Sequence, residues 1–457
     1  MAGIGFEIKK ILKRESYLSV FTAYAYAGII GSGPWILSIL GVLIIGIMSV
    51  TQAVPHALIT QFQVTVTHLM AMSLILTGFL QLGFTRYIAD RLFEKNIDAI
   101  LPNFIGSIFV TTIISGIVGM GLALFAFPKM DVVFRILLIA NFVVLCNIWI
   151  ATIFLSGMKN YKAILLLYML GYSIAVGSAI ILHDSELNGL LLGFLMGHFT
   201  LLIGMMMLII RCYPSDHFIE FDFLGKKRMF ASLVWTGFFF NLGVWIDKYI
   251  FWYTPSTGVA VIGPFNASLI YDLPIFLAYL SIIPGMAVFL VRMETDFVEY
   301  YQKFYDAVRE GGTLDYIHEM RDEMVSVARQ GIFEIIKIQA MAILVIFVAA
   351  PALLRVVGIS QYYISLLYID VVGAGLQVVF LGIMNVLFYL DKRLIALFLT
   401  ALFALLNTLL SLLSVYLGAT WYGYGFTVSL LITVVVGLYM LDRKLSILEY
   451  ETFMLQK

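Results

Sequence analysis

Apolar runs longer than 18 residues follow one another along the whole of this chain. A run of that length is what a helix needs to cross a bilayer. Inside lipid the backbone must satisfy its own hydrogen bonds, so the runs predict helices. We expect them at 17–50, 62–84, 101–127, 132–157, 163–182, 187–210, 229–252, 264–290, 332–354, 362–390, 394–417 and 424–441. Short polar links separate them, among them Arg86–Asp98, Lys159–Lys162, His183–Asn188 and Asp391–Arg393. Composition agrees: of 457 residues, 62% are hydrophobic and 12% charged, against about 25% charged in an average soluble domain. The expectation is an all-α integral membrane protein with twelve transmembrane helices. The first run is too long for the apolar region of a secretory signal and is expected to stay in place.

Lysine and arginine collect on the cytoplasmic side of membrane proteins. With both ends placed inside, the inner segments hold 24 of the 28 Lys and Arg residues, leaving Lys129, Arg135, Lys248 and Arg355 elsewhere. A missed span would scramble that asymmetry, so it supports the helix count as well as the orientation. It predicts a cytoplasmic tail at 1–16, a cytoplasmic linker at 212–228, a cytoplasmic loop at 292–331 and a cytoplasmic tail at 442–457.

Two cytoplasmic segments are amphipathic. Ile4, Ile8, Ile11 and Leu12 share a helical face opposed by Lys9, Lys10, Lys13 and Arg14. This suits either a helix lying on anionic membrane lipid or an ordinary basic tail. In the loop 292–331, Phe297, Tyr300, Tyr301, Phe304 and Val308 form one stripe, Gly311-Gly312 interrupt, and Leu314, Ile317, Met320, Met324 and Val327 form a second. Two short helices are expected there, either docking a cytoplasmic partner or packing on the membrane domain. That loop, about forty residues, is the longest between spans and leaves no room for a catalytic domain. The chain has no phosphate loop of the form GxxxxGK[ST]. Cys146 and Cys212 form no CxxC, and the six histidines have no metal-ligand spacing. Net charge is zero, which gives no argument for nucleic acid. No catalytic residue, metal site or cofactor is expected.

Polar groups inside a bilayer are costly, so each is a candidate for function. Asp247 lies about five residues from the outer end of its expected helix, and Asp272 and Asp370 about eight from theirs. At about 1.5 Å per residue this sets all three roughly 8–12 Å below the outer surface. They are either an acidic lining of an outward-facing cavity or carboxylates near the headgroups, wetted or paired with a neighbour such as Lys248. Lys248, adjacent to Asp247 and so about 100° round the helix, need not pair with it. The first expected helix carries Tyr24 and Tyr26, then Gly31, Gly33, Pro34 and Trp35. Pro34 removes a backbone hydrogen bond, and the glycines allow a bend or a close helix approach. Broken helices of this kind line cavities or move in transporters. Pro274 and Pro284 are further candidate breaks. Trp235, Trp245, Tyr271 and Tyr368 are able to stack on sugar rings, although belt or core is the commoner job of such residues. Asn241, Gln377 and Asn385 are expected to hydrogen-bond between helices.

The opening Met1-Ala2-Gly3-Ile4-Gly5-Phe6-Glu7-Ile8, the basic stretch after it, Ala23-Tyr24-Ala25-Tyr26-Ala27-Gly28 and Ser32-Gly33-Pro34-Trp35 resemble the PelG family of Pel exopolysaccharide exporters. The match is sharpest over about the first forty residues and rests beyond them on length, helix count and the long loop. The resemblance implies the multidrug/oligosaccharidyl-lipid/polysaccharide flippase fold, two six-helix bundles around a central cavity, here 17–211 and 229–441. It also implies export of an amino-sugar polysaccharide across the inner membrane, a cytoplasmic glycosyltransferase partner and membrane partners that sense cyclic-di-GMP. A cation-coupled exporter of small molecules or of lipid-linked oligosaccharide would share the fold, and a scaffold that assembles a synthase is a third reading.

Overall fold

The computed structural model describes residues 16, 18, 19, 22–29, 31, 56–157, 161–182, 185–225, 228–357 and 360–454. The amphipathic tail 1–16 and the expected first helix therefore lie almost wholly outside the described residues, and so do Gly33, Pro34 and Trp35. The chain divides into two compact units. One takes in Gly33–Trp245 and Phe251–Ser268, the other Ala2–Ser32, Ile246–Ile250 and Leu269–Lys457.

In the first unit the helices are α1 (His56–Phe93), α2 (Ile100–Gly121), α3 (Val132–Gly157), α4 (Tyr161–Ile181), α5 (Glu186–Cys212) and most of α6 (Ala231–Tyr253). Part of the polar link expected after residue 84 is helical: α1 runs on to Phe93, and the chain turns at Lys95, whose φ is 59°. In lipid the hydrophobic effect does not drive helices together, so van der Waals contact must. Small residues make that contact possible here. Gly189, Gly193 and Gly197 stand one turn apart on α5. A Cβ on Gly197 would lie 2.4 Å from the Gly171 carbonyl, and one on Gly193 would lie 2.5 Å from the Ala179 nitrogen. The α4 and α5 backbones are thus in direct contact. Around them Phe62, Leu69, Phe134, Phe142 and Phe194 fill one apolar core, and Phe84, Phe104, Phe154, Tyr168 and Met205 a second.

One element departs from the all-helical expectation. Residues 264–268, expected to begin a helix, instead complete a two-stranded antiparallel hairpin, β1 (Val259–Ile262) and β2 (Phe265–Ala267). Gly263 and Pro264 form its turn, with Gly263 at φ +52°. A side chain there would collide with Phe127, 2.5 Å from the added carbon. The hairpin sets Phe265 against His68, ring centroids 4.3 Å apart, and His68 also stacks on Trp252 at 4.3 Å.

The second unit begins with α7 (Leu269–Leu280) and α8 (Ile283–Val291). The break between them falls where Pro284 occupies the first turn of α8, whereas Pro274 sits within α7 without ending it. A π-helical stretch, Arg292–Phe297, leads directly into α9 (Val298–Arg309). After the glycine pair, α10 (Leu314–Val357) runs unbroken for 44 residues. The second amphipathic stripe is therefore no separate helix, because neither glycine pair nor proline interrupts the chain between it and the following apolar run. Then come α11 (Ile364–Tyr389), α12 (Arg393–Leu417), α13 (Tyr424–Ser446) and the short α14 (Leu448–Met454). Helical residues 22–29 and 31 belong to this unit, and a Cβ on Gly31 would meet Leu290 of α8 at 2.7 Å.

Ten helical segments among the described residues are long and apolar enough to cross a membrane. They stand at ten of the twelve expected positions. Of the other two, the first is described only at 18, 19, 22–29 and 31, and α6 falls short of that apolarity because Asn241, Asp247 and Lys248 interrupt it. Met341, Leu344, Val345 and Val348 make an outward face of α10, with Val348 85% exposed. Such a face suits lipid rather than water. The chain is a multi-pass membrane protein.

Candidate functional site

Near the end of α6 the chain places an acid and a base side by side in an apolar helix. Asp247 is wholly buried and Lys248 nearly so. Although about 100° apart round the helix, they do pair, with Lys248 Nζ 3.0 Å from Asp247 Oδ2 and 3.3 Å from Oδ1. The flexible lysine stem lets the ammonium fold back onto the neighbouring carboxylate. A buried pair holds only when its remaining hydrogen-bonding capacity is met. Tyr271 Oη of α7 donates to Asp247 Oδ2 at 2.6 Å, and Asn407 Nδ2 of α12 reaches Oδ1 at 3.4 Å. Ser411 Oγ in turn donates to Asn407 Oδ1 at 2.9 Å. Lys248 Nζ also reaches Tyr279 Oη at 3.4 Å and lies over the rings of Tyr279 and Phe426, 5.2 and 5.0 Å from their centroids. Three helices of the second unit thus hold the α6 pair.

Asp370 of α11 lies within electrostatic reach of both members. It is wholly buried, and neither carboxylate oxygen has a hydrogen-bond partner among the described residues. Gly423, at φ +82° before α13, makes room for it: a Cβ there would stand 2.8 Å from Asp370 Oδ1. The pair is neutral by itself, so the cluster has one carboxyl more than it has bases. Such a carboxyl in an apolar interior holds a proton or meets a cation. Among the described residues no three His, Cys, Asp or Glu gather as a metal site.

The candidates from sequence are spread over three places. Asp247, Lys248, Tyr271 and Asp370 meet in this cluster. Asp272 is half-buried in the first turn of α7, about a hundred degrees round from Tyr271. Because α7 starts at Leu269, Asp272 is not two turns deep, as the expected helix 264–290 implied. Tyr24 is half-buried and hydrogen-bonds Arg292, which also pairs with Glu334 at 2.5 Å and Asp296 at 2.7 Å. Tyr26 is half-buried on the same helical stretch. Asn241 belongs to the first unit, where its amide bonds Gly237 O at 3.0 Å and Gln81 Oε1 at 3.2 Å, one helix to another. Asn385 bonds across helices too, to Glu294 at 2.7 Å. Trp235 meets Phe79 and Phe238 edge to face, and the Tyr368 hydroxyl donates to Phe347 O.

Sequence reasoning passed over Tyr279, Asn407, Ser411 and Gly423. Asn407 had a readable signal, a lone amide in the apolar run Leu405–Leu410. Gly423 had none, since what it accommodates is distant in sequence.

Residues 1–453 match the family model described as "PelG: Putative exopolysaccharide Exporter (EPS-E)". No curated protein sequence matches the chain. Among solved structures, an outward-facing multidrug-resistance MATE transporter of the MOP superfamily aligns at TM-score 0.62 and 13% identity, covering 93% of this chain and 96% of that one. A MOP-superfamily transporter from Pyrococcus furiosus aligns at 0.62 and 14%, with the same coverage. A MATE transporter in its bent conformation aligns at 0.61 and 16%, covering 98% and 97%. At these identities the likeness speaks for the fold. The chain belongs to the PelG family of exopolysaccharide exporters, a membrane transporter rather than an enzyme, with the fold of the MOP superfamily.

Proposed function

We propose that this protein carries a Pel-type amino-sugar polysaccharide across the cytoplasmic membrane, with both termini on the cytoplasmic side. It would work with a cytoplasmic glycosyltransferase and with membrane-bound subunits that sense cyclic-di-GMP. The observation that carries this reading is the family match over residues 1–453. The charge of the buried cluster supports it. A carrier for lipid pyrophosphate needs cations to meet phosphate, and Lys248 is engaged by Asp247 and Tyr271's neighbour Tyr279. What is left over is the acidic Asp370, which suits neutral or cationic sugar.

The test is polymer secreted by strains carrying Asp247→Ala, Asp272→Ala or Asp370→Asn, with membrane protein levels measured in parallel. Loss of secretion at wild-type protein level is the expected result for Asp370→Asn, while secretion by Asp247→Ala is scaled to the amount of protein present, because that variant leaves Lys248 buried without its partner. Normal export in Asp247→Ala and Asp370→Asn removes the acidic cluster from the transport mechanism, and normal export in Asp272→Ala removes the carboxylate that lies apart from it. One observation favours a second reading, a cation-coupled exporter of small molecules or lipid-linked oligosaccharide: Asp370, buried and without a hydrogen-bond partner among the described residues, is the kind of group ion coupling uses. Dye efflux from vesicles, driven by a proton or sodium gradient, separates the two.

A further inference from the structure

The segment 213–225, which follows α5, is tied down along its length rather than left as a slack connection. Ser215 Oγ donates to Asp98 O at 2.8 Å, just ahead of α2. Glu220 N donates to Pro102 O at 3.1 Å, and Phe223 N donates to Asn103 Oδ1 at 3.2 Å, both on the first turn of α2. Asn103 Nδ2 reaches back to Glu220 Oε2 at 3.3 Å. Gly106 lets the chain lie this close, because a Cβ there would collide with Glu220 O. On the inner side Phe223 is buried against Phe84 and Tyr87, ring centroids 5.5 and 6.4 Å away. A 3-10 turn at Asp222–Leu224 closes the segment.

The other side of the same segment is apolar and uncovered. Phe218, Phe221 and Leu224 stand three residues apart and are exposed, Phe218 to 77%. Large apolar side chains held outward together by a pinned backbone mark a place where something other than water lies. The neighbouring surface says what that is. Phe109, Ile113 and Ile117 recur every four residues on α2 and are all exposed, in a span apolar enough to cross a membrane. Phe221 meets Phe109 of that face, ring centroids 6.2 Å apart. The patch therefore continues a surface that faces lipid. Its depth fits as well. The span Ile100–Ala126 has 27 residues, about 40 Å at about 1.5 Å per residue, against a hydrocarbon core of about 30 Å. A span longer than the core leaves its ends among the headgroups, so the first turn of α2 and the segment tied to it lie at the membrane surface. Arg211 precedes the segment and Lys226-Lys227 follow it, cations of the kind that settle among anionic headgroups. Of its acids, Glu220 is engaged by Asn103 and Asp222 by Arg228.

We infer that the segment 213–225 is a membrane-surface element, with Phe218, Phe221 and Leu224 entering the leaflet at the boundary between headgroups and acyl chains. Bilayer lipid is the partner of this patch, as it is for the apolar face of an interfacial helix. The inference holds whatever the protein exports.

A benzoyl-phenylalanine photoprobe is introduced into the full chain at position 218, 224, 117 or 322, one at a time, and cells expressing each variant are irradiated. Ile117 is the lipid reference, and Asp322, exposed on the polar first turns of α10, is the water reference. The purified protein is then weighed by mass spectrometry. Probes at 218 and 224 are expected to add the mass of one phospholipid, at a yield close to that at 117 and several-fold above that at 322. Both replaced side chains are exposed, so the larger probe has room. Lipid adducts at 218 and 224 no more abundant than at 322 overturn the proposal. So does an adduct to another protein in place of lipid, which would make the patch a docking face.

Discussion

Asp247 and Lys248 are stable together and costly apart. Two charges taken out of water lose their hydration, and the pair recovers it through mutual attraction and the donors Tyr271 and Asn407. Removing one member leaves the other charge buried with nothing opposite. Asp247→Ala is therefore expected to destabilise the protein by about 3–5 kcal/mol. The double variant Asp247→Ala/Lys248→Met should recover most of that loss, because it removes both charges. Thermal unfolding of the purified protein in nanodiscs reads the difference, and a double variant no more stable than the single one would refute the account.

At the scale of the element, close helix contact and ion-paired ends do different work. The α4–α5 contact depends on Gly197 having no side chain, since an added Cβ would meet Gly171 O at 2.4 Å and Ala175 Cβ at 2.5 Å. Both obstacles belong to a rigid helix, so Gly197→Val should lower stability by about 1–3 kcal/mol or more, visible as a lower Tm. At the other end of the chain α14 is clamped by charge. Glu451 pairs with Lys392 and with Lys444, each at 2.5 Å. Glu449 pairs with Arg321 at 3.0 Å and His318 Nδ1 at 2.5 Å. Burial works against the charge on Glu451, but Lys392 and Lys444 outweigh it and hold the carboxyl below its usual range. A depressed acid stabilises the folded state above its unfolded value, and that contribution disappears as pH falls through the folded one. The protection of the α14 amides, exchange measured against its intrinsic rate at each pH, should therefore be high near neutral pH and fall below about pH 4.5, the ordinary value for glutamate. Glu451→Gln should flatten this dependence.

Across the whole molecule the prediction concerns sidedness. If both termini face the cytoplasm, cysteines placed at Gly225 and at Gly311 react with an impermeant thiol reagent from one and the same side. Labelling from opposite faces would break the orientation on which the export reading depends. The same scale shows how far the sequence could be read. Ten expected helix positions coincide with apolar helices because a run of that length in lipid has a single solution, intrahelical hydrogen bonding. The hairpin at 259–267 was not legible, since its strands are short and its turn is fixed by Phe127, far off in sequence. The unbroken α10 was masked by a change of surroundings, from a polar stripe to an apolar run, which looks like a boundary but is one helix.

What the sequence determined by itself was therefore local and chemical: which segments are apolar enough for a membrane, which side their basic links favour, and which carboxylates stand where carboxylates are costly. Asp247, Asp370 and Lys248 were visible as anomalies along the chain. That Asp247 has a lysine, a tyrosine and an asparagine as partners while Asp370 has no hydrogen-bond partner among the described residues was decided by the tertiary structure alone. The physical reason is that a charge's cost depends on what lies within a few ångströms of it. Those neighbours come from α7, α11, α12 and α13, brought together by packing that no single stretch of sequence encodes.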